Sequence, residues 1–311
     1  SIEATLTQFN AAIKGNSPGI DCYADDFIEE CVSIVSDKRD AISSRPNYGI
    51  LNAKEDYEGL CDLRNAIIRF FRIRSKCNAS SLSDEIAALL ERLLDHTCMP
   101  EDATEWKMLW RSPFYFFCHD LVLHISALLL KENKDTVLCD LTTRKYLLPE
   151  AMRGSNGLSG IDSFLCPPDH AKCLQPTLSS SINYSNCLAE LIRRNADCKS
   201  LSFDSLIEVD LLLFMLSRIH KEWWVPDLYA YHDGSPKAFF IRLGDRHGIK
   251  RLQALTGISD VHSIHTSVKE AVKEMETKYR MHMHPFAPRY ERSLNLDKWD
   301  LPPLGQFSVS T

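Results

Sequence analysis

Several places in this sequence carry residue types whose spacing could do chemistry. Tyr23-Ala24-Asp25-Asp26 has the Tyr-x-Asp-Asp order of polymerase sites in which paired carboxylates hold two metals. That chemistry needs a strand hairpin and a third carboxylate, whereas the residues after it have helical spacing. Two acids opening a helix beside its positive end is therefore the preferred reading. Cys166, His170 and Cys173, with Cys187 and Cys198 downstream, are soft ligands in a loop and the best metal candidate in the chain. They lack the tight Cys-x2-Cys knuckles of structural zinc sites, and loop cysteines without a metal are favoured over them. His282 and His284 share one side of an extended segment, but no carboxylate nearby completes a site. Arg242-Leu-Gly-Asp-Arg-His247 has the arginine-to-histidine spacing of the metal-independent ribonucleases called HEPN. Histidine would move the proton and arginine would steady phosphate charge. Gly244 interrupts the pair, and Asp245 capping the next helix is the competing explanation. Trp223, Trp224, Tyr229 and Arg242 together could line a small-molecule or nucleotide pocket, although such aromatics more often serve a core or an interface. Arg64, Arg69, Arg72, Arg74 and Lys76 crowd one helix end, where cations meet phosphates or simply the helix dipole.

What is absent narrows the field. The sequence holds no Gly-x-x-x-x-Gly-Lys loop, no Gly-x-Gly-x-x-Gly turn, no His-Glu-x-x-His and no Gly-x-Ser-x-Gly. No motif calls for a cofactor. A net charge of -6 argues against a general nucleic-acid binder, and 44% hydrophobic with 25% charged residues is globular composition. Eleven cysteines, most of them within apolar runs, fit free thiols in a reducing cytoplasm better than a disulfide frame. The apolar run from Leu121 to Leu130 is about half a bilayer crossing, so no membrane span is expected. Opening at Ser1 rather than Met suggests that an upstream domain is missing.

These side chains must be positioned by a mainly α fold, a multi-helix bundle with a small β-hairpin in the C-terminal third. Spacing predicts helices over Glu3 to Lys14, Asp25 to Val35 and Glu55 to Lys76, with Asp37 to Asn47 as a connection or a frayed helix end. Ile86, Leu89, Leu90, Leu93 and Leu94 mark the next helix. Trp106 to Glu132 is apolar on nearly every side, which predicts a central helix covered by its neighbours. The Gly/Pro/Ser-rich stretch 153–181 is the expected connection between an N-terminal helical subdomain, 1–152, and a C-terminal one, 182–311. Phe203 to His220 is a further strong helix. Leu228 to Tyr231 and Ala238 to Leu243, flanking His232-Asp233-Gly234-Ser235-Pro236, are the predicted hairpin. Arg246 to Leu255 and Thr266 to Tyr279 complete the helices before an irregular tail.

Three stretches taken in order carry a resemblance. They are the aromatic helix from Trp110 to Lys131; Asp210-Leu-Leu-Leu-Phe214 leading to Trp224-Val-Pro-Asp-Leu-Tyr-Ala-Tyr231; and Phe239-Phe-Ile-Arg-Leu243 before Ile249-Lys-Arg-Leu252 and Leu255-Thr-Gly-Ile258. Over about Phe27 to Val272 the chain resembles an uncharacterised C-terminal helical region of bacterial multidomain proteins. These carry signalling or effector domains of TIR-like type, some of them in anti-phage defence. The resemblance implies a sensing, scaffolding or oligomerising module and defines no functional residues. The leading expectation is thus a non-enzymatic regulatory or interaction module whose partner is another protein, a fused effector domain or a second copy of itself. A ribonuclease or other phosphate-handling enzyme using Arg242 and His247 is one alternative, and a small-molecule receptor is the other.

Overall fold

A computed structural model describes residues 1–15, 20–77, 81–98, 107–148, 157–178, 186–196, 201–281 and 290–301. Cys198, His282 and His284 lie outside these residues. The first half of the chain supplies α1 (Ile2–Lys14), α2 (Ile20–Ser43), α3 (Ile50–Glu58), α4 (Cys61–Lys76), α5 (Leu82–Leu94), α6 (Met108–Lys131) and α7 (Asp135–Thr143). A two-stranded antiparallel pair follows, β1 (Tyr146–Leu147) with β2 (Leu158–Ser159), in the register Tyr146 opposite Ser159 and Leu147 opposite Leu158. The second half supplies α8 (Pro168–Cys173), α9 (Cys187–Asn195), α10 (Phe203–Ile219), α11 (Ala238–Arg242), α12 (Arg246–Thr256), α13 (Val261–Met281) and α14 (Tyr290–Ser293). The class is mainly α with one small β pair.

Helix α6 is the axle. Every residue from Ser112 to Leu130 is buried, and α3, α4, α5, α7, α8 and α10 pack around it. A helix with no polar face has to be enclosed in this way. Its aromatics extend the apolar stretch well beyond Leu121 to Leu130, so α6 has the length and apolarity of a bilayer span. In this fold it is covered on all sides by protein. Pro113 sits one residue past the first turn and removes a single ladder donor.

The buried apolar residues form one continuous cluster from Leu6 to Trp299, with α10 from the second half seated directly on α6. The described part of 153–181 contributes Ile161, Phe164 and Cys166 to that same cluster. Each of the ten described cysteines is a free thiol.

Three local expectations are corrected. The helix expected over Glu55 to Lys76 is two helices, because α3 caps at Gly59 and α4 starts two residues later. The stretch Asp37 to Asn47, expected as a connection or a frayed helix end, is mostly the ordered last turns of α2, which runs to Ser43 and buries Ile42 completely. The segments expected as hairpin strands are helical: Asp227–Tyr231 is a 3₁₀ turn and Ala238–Arg242 is α11. Acids on α10 account for this. Asp210 accepts hydrogen bonds from the Trp224 indole and the Leu228 amide, each at 2.7 Å, and Glu208 accepts one from the Phe239 amide at 2.5 Å. A carboxylate on the first free amides of a segment favours a helical start. Local apolar patterning carried no trace of those partners.

Candidate functional site

Several titratable side chains are buried in the core. On α6, Asp120 is fully buried, and burial by itself would raise its pKa. The Arg64 guanidinium at 2.5 Å and His124 hold it far below the usual carboxylate range. Tyr57 donates to the same carboxylate at 2.9 Å, and Arg64 also donates to the Asn195 carbonyl at 2.6 Å. One acid thereby joins α3, α4, α6 and the end of α9. Arg74 similarly ties α4 to α5 and α2 through Glu85 and Asp21, each at 2.6 Å. Arg69 pairs with Glu3, and Arg72 lies 4.0 Å from Glu132. The cluster of cations read from sequence as a phosphate-facing helix end is thus engaged mainly by the protein's own acids. Two of its members, Arg64 and Arg74, are buried.

Other reactive types are enclosed. His119 is buried, stacks on Trp224 with ring centroids 5.2 Å apart, and lies 3.8 Å from an Asp227 oxygen. Burial pushes His119 down to about 4 and Asp227 up to about 7, although a quarter of the Asp227 side chain stays accessible. Burial, reinforced by Asp227, also raises the Cys166 thiol well above its ordinary value. Burial thus disfavours the Cys166 thiolate, and with it nucleophilic chemistry there. The three candidate metal ligands are brought to no common point: Cys166 donates to the Pro167 carbonyl, Cys173 to the Asp169 carbonyl, and His170 Nδ1 lies 2.8 Å from the buried Ser112 hydroxyl. Among the described residues no group of three or more His, Cys, Asp or Glu is placed to hold a metal. Asp25 and Asp26 are exposed on α2, within a helix and away from any strand.

Arg242 closes α11 and His247 lies in the first turn of α12, both exposed. They sit on two helices, with Gly244 and Asp245 forming the corner. Asp245 accepts from the Gly248 amide at 2.8 Å and is the N-cap of α12, as its position suggested.

Of the residues of the expected aromatic pocket, Trp223 lines a cleft. At the end of α10, Lys221 takes a left-handed φ of 61° and the Glu222 amide returns to the Ser217 carbonyl at 2.7 Å. That turn sends the two tryptophans apart. Trp224 goes fully into the core, while Trp223 remains 41% exposed. Tyr229 stacks on His232 and packs at a tilt against Tyr290, and Arg242 is exposed at the end of α11.

Trp223 lines a cleft of about 520 Å³ between the end of α10, the turn at Asp162 and one face of α13. The Arg218 guanidinium stacks on its indole at 3.9 Å. Across the cleft, α13 presents Ser267, Glu270, Ala271 and Glu274, spaced three and four apart and so on one helical face. Four carboxylates (Asp162, Glu222, Glu270 and Glu274) stand with two cations, Arg218 and Lys221, and Lys145 pairs with Glu222, so the lining keeps a small acidic surplus. Burial lowers the Arg218 pKa against the opposing pull of Glu274, and its Nε has no hydrogen-bond partner among the described residues. Sequence reading found Trp223 and missed Arg218, Glu270 and Glu274. The 267/270/271/274 spacing was visible, but nothing in it pointed to a tryptophan some fifty residues earlier. No family model matches the chain, and no curated protein or solved structure matches it either.

Proposed function

We propose that this chain is a non-enzymatic regulatory or interaction module that works through its surface. The observation that carries this reading is the division of its polar chemistry. Asp120, His119, Cys166 and His170 are built into the interior, while the Trp223 cleft offers an aromatic face and charge, the usual means of recognition. The resemblance to helical regions of multidomain signalling and effector proteins supports the same reading. The ribonuclease alternative gains nothing from Arg242 and His247, which sit exposed on separate helices. Incubation of the protein with single-stranded RNA oligonucleotides, followed by mass spectrometry of the RNA, tests the proposal. Intact RNA is expected. Cleavage that disappears in His247→Ala would overturn the non-enzymatic reading and restore the alternative.

A further inference from the structure

We infer that the Trp223 cleft is a docking site for a basic segment of a partner protein, with an arginine or lysine of that segment stacking on the exposed indole. The inference rests on the reading of the chain as an interaction module and gives that module a surface and a partner chemistry. Three features converge on a cation. The indole is 41% exposed at a concave surface, and the ring of tryptophan is the strongest aromatic acceptor for ammonium and guanidinium groups. The protein already uses the ring in this way, with the Arg218 guanidinium 3.9 Å from its centroid. The rest of the lining carries Asp162, Glu222, Glu270 and Glu274 against Arg218 and Lys221. Lys145 pairs with Glu222, so the acidic surplus that favours a positively charged occupant comes from the exposed α13 face. Glu270 and Glu274 are exposed one helical turn apart on the α13 face that lines the same cleft as Trp223.

Arg218 gives the site its discriminating property. Its guanidinium is partly desolvated, its Nε has no hydrogen-bond partner among the described residues, and one Nη meets only the Met275 sulfur at 3.3 Å. It stands beside the incoming cation as a like charge. Removing that charge should tighten binding of a basic segment, whereas a cleft built to hold an anion on Arg218 would lose affinity by the same change.

The test is fluorescence anisotropy with a short, labelled Arg/Gly-rich peptide and its Glu/Gly-rich counterpart, at physiological ionic strength, using the full chain. The basic peptide is expected to bind and the acidic one to remain free. Trp223→Ala should weaken the basic peptide by about tenfold, the size of one well-placed cation–aromatic contact. Glu270→Lys combined with Glu274→Lys, both on an exposed helix face, should weaken it by a similar factor without touching the core. Arg218→Gln should tighten it severalfold. Failure of the basic peptide to bind, undiminished affinity in both the tryptophan and the glutamate variants, or weaker binding in Arg218→Gln would each overturn the docking site. A chain that cleaves no RNA and binds no basic peptide loses this cleft assignment but keeps the broader reading. Cleavage dependent on His247 removes the broader reading instead.

Discussion

Single residues show where the polar chemistry of this protein is committed. Asp120 answers to a guanidinium, a phenol and an imidazole at once, so its loss leaves Arg64 charged and buried without a counter-ion. Asp120→Ala is expected to cost roughly 3–5 kcal/mol of unfolding free energy in urea titrations, the range for breaking a buried pair from one side. A loss below about 1 kcal/mol would mean that the pair is solvated in solution. His96 gives a pH prediction. Burial, assisted by Arg39, pushes it from 6.5 down to about 4, and neither ring nitrogen has a partner among the described residues. The unfolded chain therefore binds a proton between pH 6.5 and 4 that the folded chain refuses. Stability contributed by the neutral ring is present above 6.5 and is lost as pH falls towards 4. His96→Phe should flatten that part of the stability profile, by on the order of 2 kcal/mol at pH 4.5. Asp227 works in the opposite sense. Raised from 3.8 to about 7, it contributes stability at low pH that fades as pH rises through about 7. The His96 effect must therefore be read as the difference between variant and parent across the whole window.

Elements show how far sequence reading reaches. Helices α6 and α10 were legible because their apolar residues recur on nearly every side over long stretches, a pattern only an enclosed helix satisfies. The segments 228–231 and 238–243 were misread as strands for the converse reason. Each is short and apolar, so its periodicity fits either state, and the deciding partners, Asp210 and Glu208, come from another helix. Arg64 and Arg74 were read as part of a basic helix end, yet Asp120 and Glu85 on other helices hold them inside. The α11–α12 corner offers a direct check of element geometry. A Cβ on Gly248 would lie 2.0 Å from the Arg242 carbonyl oxygen, a backbone atom that cannot swing away. Gly248→Ala is therefore expected to destabilise by about 2 kcal/mol or more, as overpacking does. Asp245→Ala, which removes the cap of α12, should cost about 1 kcal/mol. Thermal melts of the two variants should keep that order. Equal melting temperatures would show that the corner opens freely.

At the scale of the whole molecule, the continuous core around α6 makes the two halves of the chain depend on each other. Thermal unfolding followed by far-ultraviolet circular dichroism and by tryptophan fluorescence should give coincident transitions. Two resolved transitions would show instead that the halves on either side of 153–181 fold separately. Under the proposed reading, a core enclosed in this way leaves recognition to the surface. The most direct test of that claim is hydrogen–deuterium exchange of the full chain with and without the Arg/Gly-rich peptide. Protection confined to the end of α10 through Trp223 and to the Ser267-to-Glu274 face of α13 is the result this account predicts. Protection centred on the α11–α12 corner that carries Arg242 and His247, or no protection at the Trp223 cleft, would contradict it.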